Sequence, residues 1–281
     1  MTSRVLPYLP ITDRLAALAE ALAAGNRAVL SAPPGAGKTT LVPLHLLQQS
    51  WRGEGRIILL EPRRLAARAA ASRMAALLGE PVGQTVGYRM RLDTRIGAQT
   101  RIEVVTEGVF VRMILDDPEL QGVAAVLFDE FHERSLDADL GLAHARDSQK
   151  ALRADMRKHV ISATLEVERI ASLLANPPVI VSEGRSFPVD IRYRDRPGDE
   201  RVEDAVTAAI MKALAEETGS ILAFLPGQAE IRRVAERLET RVGPDILIAP
   251  LYGMLSQAEQ DAAIKPAASG FRKIVLSTSI A

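Results

Sequence analysis

The sequence predicts an α/β protein built on parallel sheets and divided into two domains, and three observations carry that reading. Short aliphatic or β-branched runs alternate with longer alanine- and leucine-rich stretches of helical spacing, the pattern of parallel α/β folds. The segments with reactive side chains stand directly after those short runs, where the loops of such a sheet gather along one edge. At 281 residues the chain also exceeds what one hydrophobic core usually fills.

Taken in order, the first half offers strands at Arg27–Ser31, Arg56–Glu61, Ile102–Thr106, Ala124–Asp129 and His159–Ala163, with helices at Asp13–Ala24 and Ala66–Leu78. Pro43 falls in the helix after Thr40 and should end or kink its first turns. Prolines, glycines and alternating charges between residues 176 and 198 mark a break. We place the boundary at Gly184–Arg185, giving domains 1–184 and 185–281. The second domain reads as a strand Val189–Tyr193, a helix Glu203–Glu217, a strand Ile221–Leu225, a helix Gln228–Arg241 and strands Ile246–Pro250 and Lys273–Ser277. The last of these is an apolar run with nothing following to cover it, as in a domain that is incomplete.

Composition excludes more than it suggests. With 47% hydrophobic and 25% charged residues the chain is neither disordered nor extreme. No apolar run approaches the roughly 18 residues that a membrane span needs, and Met1–Pro10 lacks the apolar stretch of a signal peptide. The absence of cysteine removes disulfides and thiolate-held metals and fits a cytoplasmic protein. Formal charge is +0, so a nucleic-acid surface has to be a local patch.

Chemistry concentrates in four segments. Ala32-Pro-Pro-Gly-Ala-Gly-Lys-Thr39 follows a strand and opens a helix. Gly35, Ala36, Gly37 and Thr40 would offer backbone N–H groups to phosphate, Lys38 would reach the β- and γ-phosphates, and the Thr39 hydroxyl would ligate Mg²⁺. The usual pattern has glycine where this chain has Ala32; on the motif alone, a small-residue turn is the competing reading. Val126–Glu130 is an apolar strand ending in two carboxylates. Asp129 suits Mg²⁺, and Glu130 would orient or deprotonate an attacking water. At His159–Thr164 the hydroxyls of Ser162 and Thr164 stand at a third strand tip, where helix capping is an equal use for them. Glu61-Pro-Arg-Arg64 puts cations at a fourth, suited to a phosphate backbone or to a plain solvated helix face.

These segments, with Thr106-Glu-Gly108, Asp129-Glu-Phe-His-Glu-Arg-Ser-Leu136, Gly184–Pro188, Leu225-Pro-Gly227, Leu251-Tyr-Gly253 and Lys273–Ala281, resemble the motifs of DEAH/RHA-type superfamily 2 helicases in order along the chain. Phe131 and Glu107 resemble the bacterial HrpB-type branch. The resemblance implies two RecA-like P-loop NTPase lobes, the second incomplete, that use ATP or another NTP with Mg²⁺ to move along single-stranded RNA or DNA, as a monomer. It assigns Arg63, Arg64, Thr106 and Gly108 to the nucleic-acid backbone from the first lobe, and Pro226, Gly227 and Thr278 from the second. His132, Ser162 and Thr164 would couple hydrolysis to lobe movement, and Arg73 would lie over the nucleotide base. Ile264 stands where the family often supplies an aromatic to complete that stack. The chain stops within the family's fifth motif, before the arginine-finger motif, which makes a hydrolysis-deficient nucleotide- or nucleic-acid-binding fragment the alternative to a translocase. A small-molecule kinase would share only the phosphate loop and has no use for the remaining motifs.

Overall fold

The computed structural model describes residues 6–162, 167–183 and 188–280. It divides into two compact units, Met1–Pro188 and Val189–Ala281, four residues after the boundary expected from composition.

In the first unit, a short 3-10 turn at Pro10–Arg14 leads into α1 (Leu15–Ala24). The chain continues through β1 (Arg27–Ser31), α2 (Lys38–Leu46), β2 (Arg56–Glu61), α3 (Arg64–Leu78), β3 (Val86–Met90), β4 (Asp93–Arg95), β5 (Ile102–Thr106) and α4 (Glu107–Asp116). It ends with β6 (Val123–Phe128), α5 (Leu136–Ala151), β7 (Arg157–Ser162), α6 (Val167–Leu173) and β8 (Val179–Val181). The eight strands order as β4-β3-β5-β2-β6-β7-β1-β8. All pair in parallel except β3 with β4, an antiparallel hairpin at one edge. Two apolar clusters sandwich the sheet: Leu18, Leu30, Leu59 and Leu127 lie on one face, and Ile58, Phe110, Phe128 and Val160 on the other. The central strands are buried along nearly their whole length, as strands covered on both faces must be.

The five strands expected here form, with ends shifted by one or two residues at β6 and β7. Pro43 does not end helix α2, which runs through it to Leu46. Pro43 removes one helical bond, while the helix continues around it, with the Leu47 N–H donating to the Pro43 carbonyl at 3.0 Å.

The second unit contains α7 (Val202–Glu216), β9 (Ile221–Phe224), α8 (Gln228–Glu239), β10 (Ile246–Leu251), α9 (Gln257–Ile264) and β11 (Arg272–Ser277). Its parallel sheet orders as β10-β11-β9. Ile274 and Leu276 of β11 sit with Ile231, Val234 and Leu238 of α8 in one apolar cluster. The strand expected to stand uncovered is therefore the central one. No strand forms at Val189–Tyr193. Its apolar side chains are exposed, while Arg192 and Arg194 tie the segment to Glu216, Glu217 and Glu200 by ion pairs. The period-two pattern was real, but what holds this stretch is salt bridges to its polar side.

Candidate nucleotide and nucleic-acid site

The site is assembled by the loops after β1, β6, β7 and β2, which leave the sheet at one edge. Between β1 and α2 the chain turns through Gly35 at φ +77° and Gly37 at φ +91°, in the left-handed region that glycine occupies without strain. A Cβ on Gly37 would also lie 2.5 Å from Leu9 Cδ1. The segment before α1 buttresses the loop as well, with the Ile11 N–H donating to the Ala36 carbonyl at 3.1 Å. Gly37 is the N-cap of α2, so Lys38 and Thr39 open a helix whose first N–H groups have no helical acceptor. That end attracts anions through both the free N–H groups and the helix dipole.

Strand β6 carries Asp129 to the same place. Phe128 packs edge-on against Phe110 at 5.7 Å and against Phe131 at 6.2 Å between ring centroids, fixing the turn after the strand. The Thr39 hydroxyl donates to Asp129 Oδ2 at 2.5 Å, and Asp129 Oδ1 accepts the Glu130 N–H at 2.8 Å. Glu130 adopts φ +48°, an uncommon conformation for a side-chain-bearing residue, held by that bond and by the Glu133 N–H donating to its carbonyl. Its carboxylate lies 2.9 Å from Lys38 Nζ through Oε1 and 3.4 Å from His132 Nδ1 through Oε2. Lys38 is 3% exposed, and its ammonium has an ion-pair neighbour in Glu130 but no hydrogen-bond acceptor in line.

Behind this cluster sits Glu61, which sequence reasoning placed in a motif but not in the site. It is buried at the tip of β2, beside Thr106 in register, and hydrogen-bonds Asp129. Burial pushes its pKa up to about 9, reinforced by the Asp129 and Glu130 carboxylates and only partly offset by Lys38. Burial likewise raises Asp129, to about 6, against the opposing hydrogen bond from Thr39. Glu61 therefore stands protonated as a donor beside an ionisable partner. The folded chain keeps this proton over a range, from 4.5 to about 9, in which the unfolded chain releases it. Stability attributable to Glu61 accordingly falls as pH rises through that range. Glu61→Gln, which mimics the protonated acid, is expected to flatten the decline in melting temperature between mildly acidic and alkaline buffer. Parallel pH profiles for the two proteins would show that Glu61 titrates normally.

Ser162 ends β7 fully buried, with its carbonyl accepting the Ala32 N–H at the start of the phosphate loop. Thr164 lies outside the described residues, as does most of Gly184–Pro188. Arg73 is exposed midway along α3.

Residues assigned to nucleic acid fall into two groups, one in each unit. In the first unit, Arg63 and Arg64 are exposed where β2 enters α3, and Arg63 pairs with Glu133 at 3.0 Å. Thr106 and Gly108 open α4 and line a groove of about 820 Å³ shared with the β3–β4 hairpin. Arg89, Arg91 and Arg112 also line it, together with Asp116 and Asp137, and these arginines lie outside the motifs named above. The Arg89-Met-Arg91 alternation at a strand end was the available clue. Glu107 accepts a hydrogen bond from the Ser135 hydroxyl at 2.5 Å, linking α4 to the N-cap of α5. In the second unit, Phe224 pairs with Ser277 in register, so Pro226 and Gly227 after β9 and Thr278 after β11 emerge side by side. Gly227 is the N-cap of α8.

This arrangement has the form of a P-loop nucleotide site: a glycine-rich anion cradle on a helix N-terminus, a buried lysine, and an acid pair following β6, with β7 between that strand and β1. A model of the DEAD/DEAH box helicase family matches residues 12–173, and the chain belongs to that family. It is 54% identical over 273 residues to the ATP-dependent RNA helicase HrpB of Escherichia coli K12, covering 97% of this chain and 34% of that protein. It is 34% identical over 275 residues to an ATP-dependent RNA helicase HrpA homolog of Haemophilus influenzae, covering 97% of this chain and 21% of that one. A crystal structure of the E. coli DEAH/RHA helicase HrpB superposes with a TM-score of 0.90 at 53% identity, over 97% of this chain and 35% of that one. One of the E. coli DExH-box NTPase HrpB superposes at 0.80 and 52% identity, over 99% and 34%. The chain thus spans about a third or less of the length of these relatives.

Proposed function

We propose that this chain is the ATP-hydrolysing and strand-gripping core of an RNA helicase, acting as a cytoplasmic monomer. The observation that carries the reading is the convergence of Lys38, Thr39, Asp129 and Glu130 within direct contact at the mouth of a phosphate loop. Similarity to ATP-dependent RNA helicases favours this over a silent binding module. It also disposes of a small-molecule kinase. Among the described residues no helix is long and apolar enough to cross a membrane.

The residues present fit a magnesium nucleotide. Among the described residues no group of three or more His, Asp or Glu side chains forms a metal cage. Thr39 Oγ1 and Asp129 Oδ2 are in contact at the mouth of the phosphate loop, and Mg²⁺ takes one or two protein oxygens and completes its shell with phosphate and water. Thr39 and Asp129 would hold it, and when bound it neutralises developing charge on the phosphates. Gly35, Ala36, Gly37 and Thr40 cradle phosphate oxygens while Lys38 turns its unaccepted N–H bonds toward them. Glu130 orients the attacking water. His132, in contact with Glu130, and Ser162 and Thr164 after β7 relay the state of that site, and Arg73 covers the base.

Arg63, Arg64, Thr106 and Gly108, joined by Arg91 and Arg112, would hold the strand by its phosphates, and Pro226, Gly227 and Thr278 would do so from the second unit. Such contacts give affinity without sequence preference. Arg63→Ala with Arg64→Ala is expected to weaken single-stranded RNA binding about tenfold and to reduce its salt dependence by roughly one to two counterions. Nucleotide affinity should be untouched. Fluorescence anisotropy across a salt series reads both, with a DNA competitor ranking the two nucleic acids. Unchanged RNA affinity would remove α3 from the strand path.

A further inference from the structure

The β3–β4 hairpin turns through Arg91 and Leu92, between the paired residues Met90 and Asp93. Leu92 is 96% exposed and sits at φ +66°. A two-residue turn at a sheet edge with an exposed tip has few contacts of its own to hold it, yet its Arg91 lines the groove beside Thr106 and Gly108. What fixes it comes from α3. Arg68, one turn beyond Arg64, donates from Nη2 to Asp93 Oδ2 at 3.0 Å. The Tyr88 hydroxyl meets both oxygens of the same carboxylate at 3.2 Å. Tyr88 is buried, and burial and Asp93 both raise its pKa, so the phenol keeps its proton and donates.

The arrangement comes at an energetic cost. Arg68 Nε and Nη1 are buried without hydrogen-bond partners. A guanidinium taken out of water and only partly satisfied stabilises a fold less than an apolar side chain of similar size would. Leu65, Ala67, Ala70 and Ala71 show that α3 otherwise meets its surroundings with aliphatic groups. A charged residue at position 68 is better explained by what it orients than by stability.

The geometry points to Arg68 and Asp93 as positioning residues for nucleic acid. Their partly buried ion pair, with Tyr88 as its second anchor, locks the Arg91–Leu92 turn to the helix that carries Arg63 and Arg64. The two cationic contacts then present to the strand as one rigid unit. Preorganised contacts avoid an ordering cost on binding, so the brace acts through Arg91 and touches no nucleotide itself. This rests on the strand-gripping reading above.

The test uses the 281-residue chain, a short fluorescein-labelled oligouridylate and a fluorescent ATP analogue, with Arg68→Met, Arg91→Ala and the double variant. Arg68→Met is expected to lower oligouridylate affinity about tenfold and to reduce the salt slope by about one, as Arg91→Ala does, with analogue affinity held. The double variant should lose no more than Arg91→Ala alone, because residues acting through one contact are non-additive. Asp93→Asn should reproduce Arg68→Met. Full additivity, or an Arg68→Met protein that binds RNA normally while Arg91→Ala does not, overturns the brace and leaves the strand-gripping reading intact. Parallel loss of analogue affinity in Arg68→Met makes the pair a general structural prop and likewise overturns it. If neither Arg91→Ala nor the Arg63/Arg64 pair affects RNA, the strand-gripping reading itself fails and the brace with it.

Discussion

Glu130→Gln is expected to reduce ATP hydrolysis by roughly 10²- to 10⁴-fold, the range for loss of a positioned general base, while nucleotide affinity stays within about threefold. The side chain is held for a chemical task. Its backbone is in the left-handed region, which costs on the order of 1–3 kcal/mol for a residue with a Cβ. In return its carboxylate points between Lys38 and His132 instead of into solvent. The amide keeps the size and one acceptor but cannot take a proton or attract the hydrogens of a water as strongly. On the proposed reading, phosphate binding rests on Lys38, on Thr39 and on the loop N–H groups, none of which the substitution removes. Phosphate-release kinetics beside a fluorescent-nucleotide titration separate the two effects. Hydrolysis near the parental rate would move the water-orienting role to another residue.

Much of this site was legible because its chemistry is local in sequence. The phosphate loop needs small residues at a strand-to-helix junction, and Gly35–Thr40 state that within one short stretch. Asp129 and Glu130 end an apolar run that could only be a buried strand. Legibility fell where the determining contact is distant. Glu61 reads as an ordinary acid opening a basic segment, and only the pairing of β2 with β6 shows that it is buried behind Asp129. The β3–β4 hairpin is hard to read from sequence because Gly87 and four charged residues, Arg89, Arg91, Asp93 and Arg95, interrupt its apolar pattern. Its stability comes from α3, through an ion pair 25 residues apart in sequence. Val189–Tyr193 failed in the opposite direction. Its alternation is perfect, but a strand needs a partner to bond with, and the residues beside it supply salt bridges instead.

The ion pair between Lys38 and Glu130 gives the second large effect and links binding to chemistry. Among the described residues the 3%-exposed ammonium is under-satisfied: it has one carboxylate oxygen at 2.9 Å, and N–H bonds without acceptors in line. Phosphate oxygens arriving at the loop offer those acceptors. On the proposed reading, Lys38 would turn to those oxygens and leave the Glu130 carboxylate free for a water. On that reading the Lys38–Glu130 ion pair would restrain the carboxylate until nucleotide is bound. Lys38→Ala removes a charge-assisted contact of about 3 kcal/mol, so nucleotide affinity is expected to fall roughly a hundredfold. Lys38→Arg should recover little, because the larger planar fork does not fit a buried point-charge position. Melting temperature should change little in Lys38→Ala, which leaves the buried apolar face of α2 in place. Fluorescent-nucleotide titration and thermal melting together decide the matter. Retained affinity in Lys38→Ala would show that the loop N–H groups alone hold the phosphates and that the lysine serves only to restrain Glu130.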